Sequence, residues 1–552
     1  MSKRQVGDGP FCMCGVGKRD RTAKYCRLLA SALIAAILLA SHCYGQPIVG
    51  LVDTGFDIHH PDLRVGSRSR ILALWDQRDS TRRNARDGRT SVYYAGEIDS
   101  LYRLTDSEGH GTAVASLVFS KDRPGGIPDA DLACVCVPEG ANQEQVAMGV
   151  EFIRDFAQKL ERPYIINLST GFEGGAKDGE TDDLEYVLSN VLKGDTTGLL
   201  KAVVTAAGNS NYDSISVNDL RTTRLSLNAI VQLENRRCHA RGHGPGSFRL
   251  NLTTTPVLGD DSCVLELWYS AVVPYRVGIV TPEQSVILSS GPGSQWIPVL
   301  STLRYKFGLV EIADRGNIQG PGSEPPRWAS TRIVLKDDTS GYGRLLGGTW
   351  TIELLGGQGT WDAYITATAP ASCVKAVARE DISNECLIAV AGNVADAICV
   401  GAYNPCDTCQ WIIADGKVNT LDEHLPGHAI SHFSSRGPTR AGLDKPDIYA
   451  PGQCCVVALS QDMPKSAQRE IDSCQLRTQD GRHYIVQGTS YAAPYVAGLI
   501  ARMVQLRPCL SAPEIKHILV SSADHISDVG KLNFLVDCEQ ALKSTREKDC
   551  GE

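Results

Sequence analysis

Three stretches of this chain hold side chains that could do chemistry together. In "VGLVDTGFD" (Val49–Asp57), Asp53 ends an apolar run. Aspartate is rarely buried without a partner, so its place there asks for a purpose beyond packing. In "DSEGHGTAVAS" (Asp106–Ser116), His110 stands between two glycines at the start of a segment containing Ala113, Ala115 and Ser116. In "QGTSYAAPYVAG" (Gln487–Gly498), Ser490 opens a segment whose Ala492, Ala493, Ala497 and Gly498 allow close packing. Pro494 suits the first turn of a helix there. A hydroxyl, an imidazole and a carboxylate supply a nucleophile, a base and a group that orients the base. Each residue alone has a plainer reading: an N-cap for Ser490, a turn for His110, a cap for Asp53. Their joint occurrence, far apart in sequence, shifts the weight to a shared site.

The elements that would carry these residues follow an alternating plan. Ile48–Val52 reads as a buried strand, Gly111–Phe119 as a helix and Asp131–Val137 as a strand. Asn142–Leu160 has a 3.6-residue apolar period through Val146, Val150, Ile153 and Phe156. Tyr164–Ser169 is a strand, Leu184–Leu192 a helix and Lys201–Gly208 a strand. Such alternation predicts a parallel sheet with helices on its faces. Asp53 would then lie at the carboxyl end of a strand, where sites gather in open α/β sheets. Gly55 would let the backbone turn sharply behind it.

From about Ser210 to Ala371 the helical period vanishes. Short alternating runs such as "CVLELWYS", "STRIVLK" and "TWTIELL" take its place, and five of the seven tryptophans fall here. These runs read as an all-β insertion, a sandwich or jelly roll. The α/β pattern resumes at Ala397–Asn404 and closes with a helix after Ser490 and another at Ala512–Ser521. The expected fold class is α/β with an inserted β-sandwich. The expected division is a leader over 1–45, a first α/β part over 46–209, the insertion over 210–396, a second α/β part over 397–545 and a tail over 546–552.

Composition is that of a globular chain: 552 residues, 42% hydrophobic, 21% charged, net charge −8. That charge argues against nucleic acid as a partner. The clustered basic residues Lys18, Arg19, Arg21, Lys24 and Arg27 precede the 14-residue apolar run Leu28–Ser41. This is the layout of an export signal, too short to span a bilayer, with cleavage around Ala40–Gly45. The chain is therefore expected outside the cytoplasm, secreted or in the periplasm or cell envelope. No stable membrane span is expected once the leader is removed, and anchoring through the N-terminal segment is the alternative. Four of the 19 cysteines lie in the leader, which leaves an odd number for several disulfides in an exported chain. "CDTC" (Cys406–Cys409) lacks the second pair a zinc site needs and reads as a local disulfide or two thiols.

Taken as strings, these motifs resemble the subtilisin-like serine proteases, the subtilases. The resemblance is carried by "VDTGFDIHHPDL", "GHGTAVASL", "VTAAGN" and "GTSYAAPYVAG", supported by "INLSTG", "FSSRGPT" and "KPDIYAPG", in the order Asp, His, Ser. It covers Ile48–Asn209 and Ala397–Leu542. It implies a subtilisin-like sheet and the following roles. Ser490 attacks a peptide carbonyl, His110 moves the proton, and Asp53 holds the imidazole. Asn209, with the Ser490 N–H, binds the oxyanion. The family's pocket stretch maps to Ser169, Thr170 and Gly171, where an extended peptide pairs by strand addition, and Ala206, Ala207 and Gly208 form another wall. The family commonly has a larger apolar residue at the place of Thr170.

Three departures from the family pattern bear on these expectations. Asp62 matches a calcium-ligand position, but calcium takes six to eight oxygens and "SKDRPGGIPDADL" (Ser120–Leu132) replaces the loop that supplies more of them. Asp62 is therefore expected to be a surface or capping residue, and no cofactor is expected. Only Gln46 and Pro47 separate the leader from the first strand, so no folded prosegment is expected. The insertion follows Asn209 directly, resembling bacterial subtilases, including those of spore germination, that carry an inserted jelly roll. Bracing the enzyme or restricting access is its expected role. The reading is an exported serine endopeptidase acting on polypeptides through an acyl-enzyme, with a catalytically silent scaffold as the alternative. A lipase-type esterase is disfavoured, because the G-x-S-x-G elbow and the Ser, Asp, His order are absent.

Overall fold

The computed structural model describes residues 46–548. It leaves out 82–88, 102–104, 120–129, 173–174, 180–181, 212–236, 253–261, 289–292, 301–305, 319–327, 338–343, 368–382, 414–415, 422–426, 529–530 and a few single positions. The leader, most of the Ser120–Leu132 replacement and the end of the tail lie outside the described residues.

Runs that are apolar on both faces must be covered on both faces, and the central strands are. Ten strands form the main sheet: β1 (Ile48–Asp53), β2 (Ile71–Asp76), β3 (Val92–Tyr94), β4 (Asp131–Cys136), β5 (Tyr164–Leu168), β6 (Leu200–Ala206), β7 (Ile398–Tyr403), β8 (Ile448–Pro451), β9 (Asp524–Asp528) and β10 (Lys531–Leu535). Their order across the sheet is β9-β10-β8-β7-β6-β5-β1-β4-β2-β3. All neighbours are parallel except the edge pairs β9–β10 and β2–β3. Every residue of β1, β4, β5, β6 and β7 is buried. The chain leaves β1 toward β4 on one side, then crosses to β5 on the other. The carboxyl ends of β1 and β5 thus flank the switch point, where open α/β sheets place their ligands.

Helices α1 (His110–Val118), α2 (Gln143–Lys159), α3 (Asp183–Gly194) and α4 (Thr489–Leu506) cover the faces. A capping box between Asn142 and Gln145 starts α2. Pro494 lies in the second turn of α4, not the first. A proline there has no N–H to give to the carbonyl four residues back, which is that of Ser490. The Ser169 hydroxyl donates to that carbonyl instead, at 2.8 Å.

Between β6 and β7 the chain forms two antiparallel sheets, of four and six strands, over Arg237–Ala367. Trp350, Ile352 and Tyr275 of the smaller sheet share one apolar core with Leu265, Ile333 and Trp361 of the larger. This is a sheet-on-sheet packing. Asp362 fastens it to the α/β part. The carboxylate is buried, accepts from His239 Nε2 at 3.0 Å and pairs with Arg440 at 2.7 Å. Burial alone would raise its pKa, but the Arg440 charge and His239 outweigh burial and hold it well below the usual carboxylate range.

The cysteines pair differently from the local expectation. Cys409 is bonded to Cys454, 45 residues on, and not to Cys406. Cys134, Cys136, Cys386, Cys399 and Cys538 are buried thiols.

Asp62 is neither a simple surface group nor a cap. Its carboxylate accepts from His483 Nε2 at 3.0 Å, while Asp480 binds Nδ1 of the same ring. His483 thus bridges the segment behind β1 to the strand His483–Val486, which leads into Ser490. The Asp62 hydrogen bond comes first among the causes that raise the His483 pKa. Asp480, despite some burial, is lowered to about 2 by backbone and side-chain hydrogen bonds. A raised histidine stabilises below its unfolded pKa and loses that contribution as pH rises through the folded one. The depressed carboxylates do the reverse, losing it as pH falls through their lowered folded pKa, about 2 for Asp480. His483→Ala is therefore expected to cost about 1 kcal/mol near pH 6, given the partial exposure of the pairs. Denaturant midpoints at pH 6 and pH 9 check this, with a smaller difference expected at pH 9.

Candidate active site

Asp53 is the last residue of β1 and is 1% exposed. Its Oδ1 accepts from the Thr54 N–H at 2.8 Å, and both carboxylate oxygens lie 2.9 Å from His110 Nδ1. A carboxylate can only accept, so Nδ1 carries the proton and Nε2 is the free basic nitrogen of the neutral ring. This contact depends on α1 coming very close to β1. A Cβ on Gly111 would lie 2.1 Å from the Gly55 carbonyl oxygen and 3.0 Å from the Asp53 Cβ, so no other residue fits there.

The start of α1 is set by Asp106, a residue the sequence reading passed over. Buried, it accepts from the N–H groups of Gly109 and Thr112, both at 2.9 Å, and from the Thr112 hydroxyl at 2.5 Å. It thereby takes up donors that a helix start leaves open. An aspartate four residues before the histidine was the available signal.

Burial pushes the His110 pKa down, but the Asp53 charge and hydrogen bond, joined by the charges of Asp106 and Glu108, raise it to about 9. The imidazolium therefore stabilises the folded chain fully below about pH 6.5, and the contribution is lost as pH rises toward 9. The neutral, basic form gains over the same window. Glu108 is exposed and accepts from the Thr54 hydroxyl at 2.9 Å. Glu108→Gln is expected to lower the His110 pKa by about 0.4 unit, the scale of one solvent-screened charge. NMR titration of the ring checks this, and added salt should shrink the difference.

Ser490 is the second residue of α4, in the turn whose N–H groups have no intrahelical partner. Its hydroxyl donates to the Ser169 carbonyl at 2.9 Å, while the Ser169 hydroxyl donates to the Ser490 carbonyl. No hydrogen bond joins Ser490 to His110 in this structure. The two lie on packed neighbours, since the ring of Tyr491, next to Ser490, is 5.8 Å from that of His110.

Asn209 follows β6, and its Oδ1 accepts from both the N–H and the hydroxyl of Thr489, each at 2.9 Å. The oxygen end is thus committed, and the NH2 end lies beside Gly488, 3.5 Å from where a Cβ there would stand. Thr489, fully buried, also accepts from the Gly208 N–H at 3.1 Å. The sequence reading gave it no role, although a threonine directly before the serine was visible.

The residues expected to line the pocket divide. Gly171 is exposed and Thr170 half-buried, while Ser169 is buried with its hydroxyl engaged by Ser490. Ala206 and Ala207 are buried, and Ala207 is packed with Ile388 and Cys399. Ala389, which the sequence did not flag, joins the two walls. Its methyl lies 3.7 Å from a Cβ built on Gly171 and 3.3 Å from one on Gly208. No string near Ala389 marks it, because the insertion separates it from both walls.

A buried carboxylate thus meets an imidazole near a helix-start serine and a pinned asparagine, at the switch point of the parallel sheet of an α/β protein. The chain belongs to the subtilase family, whose profile matches residues 45–253 and 356–544, well over half its length. It is similar to the serine protease AprX of Bacillus subtilis, 35% identical over 142 residues, which are 24% of this chain and 31% of that one. It is similar also to the subtilisin-like protease SBT4.14 of Arabidopsis thaliana, 33% identical over 105 residues, 19% of this chain and 13% of that one. The match thus spans a third or less of these curated relatives. In fold it is similar to the CspB protease of Clostridium perfringens, with a TM-score of 0.63 at 18% identity over 90% of this chain and 93% of that one.

Proposed function

We propose that this chain is a serine endopeptidase that hydrolyses polypeptides through an acyl-enzyme. The observation that carries the reading is His110 Nδ1 held by both oxygens of Asp53, beside the helix whose first turn holds Ser490. In the cycle, the Ser490 hydroxyl turns from the Ser169 carbonyl toward His110 Nε2. Nε2 takes the hydroxyl proton as Oγ attacks the substrate carbonyl. Asn209 Nδ2 and the Ser490 N–H receive the negative oxygen. The tetrahedral intermediate collapses, His110 protonates the leaving amine, and the C–N bond breaks. Water, deprotonated by His110, then releases the acid and restores the serine. Asp53 keeps the proton on Nδ1 and stabilises the imidazolium. The extended substrate pairs with the backbone at Ser169–Gly171, and Thr170, Gly171, Gly208 and Ala389 bound the pocket for its side chain. No step calls on a cofactor. The apolar run Leu28–Ser41 of the leader, with its basic front, supports export, and the sandwich, clamped through Asp362, fits a bracing role.

The silent-scaffold alternative has one observation in its favour, the resting bond from Ser490 to Ser169 in place of His110. Hydrogen bonds of this kind are often long or misaligned before substrate binds, so the bond does not weigh heavily. A fluorophosphonate probe decides between the two. Labelling mapped by peptide mass spectrometry to Ser490, with cleavage of a denatured protein mixture, supports the enzyme. A folded chain that neither labels nor cleaves rejects it.

A further inference from the structure

We infer that Tyr491 is a positioning residue for His110, its ring forming a wall that holds the base in register with the nucleophile. The inference rests on the protease reading above.

The Asp53 contact alone does not fix the ring. Both carboxylate oxygens sit 2.9 Å from Nδ1, which anchors one edge and leaves the imidazole free to pivot about that edge. The outer torsion of histidine is broad, with no sharp well to stop the pivot. Side-chain exposure of His110 is 29% against 2% for Asp53, so the rest of the ring needs a wall. Tyr491 supplies one. Its ring centroid is 5.8 Å from that of His110, tilted by 50°, within the range of aromatic contact.

Tyr491 is itself held in place by its backbone and by the core around its ring. Its N–H donates to the Gly488 carbonyl at 3.1 Å. Its ring lies against Gly488, where a Cβ would come within 3.4 Å of two ring carbons, so the glycine admits the ring with little room to spare. Tyr491 is 9% exposed and belongs to the main apolar core, together with Tyr484 of the strand that leads into Ser490.

The consequence is mechanical. Tyr491 follows Ser490 in the same helical turn, so the surface that limits the base travels with the nucleophile. Any shift of the start of α4 moves both together. Reacting groups misplaced by about 1 Å can lose about 10²-fold in rate, so removal of this wall should appear in the chemical step and not in substrate binding.

The test compares Tyr491→Phe and Tyr491→Leu in the full chain, by kcat and KM on an unstructured peptide and by thermal midpoint. Tyr491→Phe keeps the ring and should hold kcat within about threefold. Tyr491→Leu removes it and should lower kcat by about 10- to 100-fold with KM within about twofold. In a Ser490→Ala background, the His110 ring protons should lose the ring-current shift of Tyr491 in the Leu variant and keep it in the Phe variant. An unchanged kcat in the Leu variant, or a loss carried by KM, overturns the inference. If the Leu variant does not fold, Tyr491→Met, which fills similar space without a ring, takes its place: a lower kcat at constant KM supports the wall, and an unchanged kcat overturns it. Failure of the underlying reading looks different. Ser490→Ala and His110→Ala would then still cleave, whereas inactive Ser490 and His110 variants beside an unaltered Tyr491→Leu sink only this inference.

Discussion

Ser490→Ala is expected to lower kcat/KM for peptide cleavage by about 10⁶-fold, the scale on which a triad nucleophile acts. The structural cost should be small. Ser490 is half-buried, and the substitution removes one hydrogen bond, to the Ser169 carbonyl at 2.9 Å. The Ser490 carbonyl keeps its own partner, because the Ser169 hydroxyl still donates to it. The thermal midpoint should therefore stay close to that of the parent chain, and the loss is chemical. His110→Ala added to Ser490→Ala should lower the rate little further. A base has no proton to move once the nucleophile is gone, and the effects of groups acting as a unit do not add. A residual rate about 10³-fold above uncatalysed hydrolysis should survive in both, from the oxyanion donors and binding. Cleavage at the parent rate by the purified alanine variant would reject Ser490 as the nucleophile.

Asn209→Leu is expected to lower kcat by about 10²- to 10³-fold, with KM changed only a few fold. The argument is about which end of the amide faces the cleft. Two donors of Thr489 converge on Oδ1, each at 2.9 Å. An amide whose oxygen is taken in this way can turn only its NH2 outward. The donor is then in place before any charge develops and needs no reorganisation when it does. A leucine fills similar space and offers no N–H. It also deprives the buried Thr489 of an acceptor, which should cost about 1–3 kcal/mol of stability. The two effects separate by measurement, since kcat is read well below the melting temperature and stability by denaturant titration. A stable Asn209→Leu chain with parental kcat would remove Asn209 from the oxyanion role.

Much of the architecture was legible in one dimension because its signals are local. The apolar run Ile48–Val52, the period through Val146, Val150 and Ile153, and the loss of that period after Ser210 depend only on neighbours in sequence. They determined the alternation of β and α and the β character of the middle. The motif strings likewise marked Asp53, His110, Asn209 and Ser490 as special. The contacts that give a site its geometry carry no such signal. The CDTC spacing points to a local disulfide or two thiols, yet Cys409 pairs with Cys454. Nothing local to Pro494 marks where its helix begins, and it sits in the second turn rather than the first.

Which elements form, and where the reactive side chains stand along them, could be read from the order of residues alone. Tertiary structure alone decided what each side chain touches: Asp53 on His110, Thr489 on Asn209, Ser169 on Ser490, Asp62 on His483, Ala389 between Gly171 and Gly208. The physical reason is range. Periodicity and capping act within a few residues, whereas these contacts join positions separated by 57 to 421 residues. They exist only because one twisted sheet brings the ends of β1, β5 and β6 and the start of α4 to the same edge.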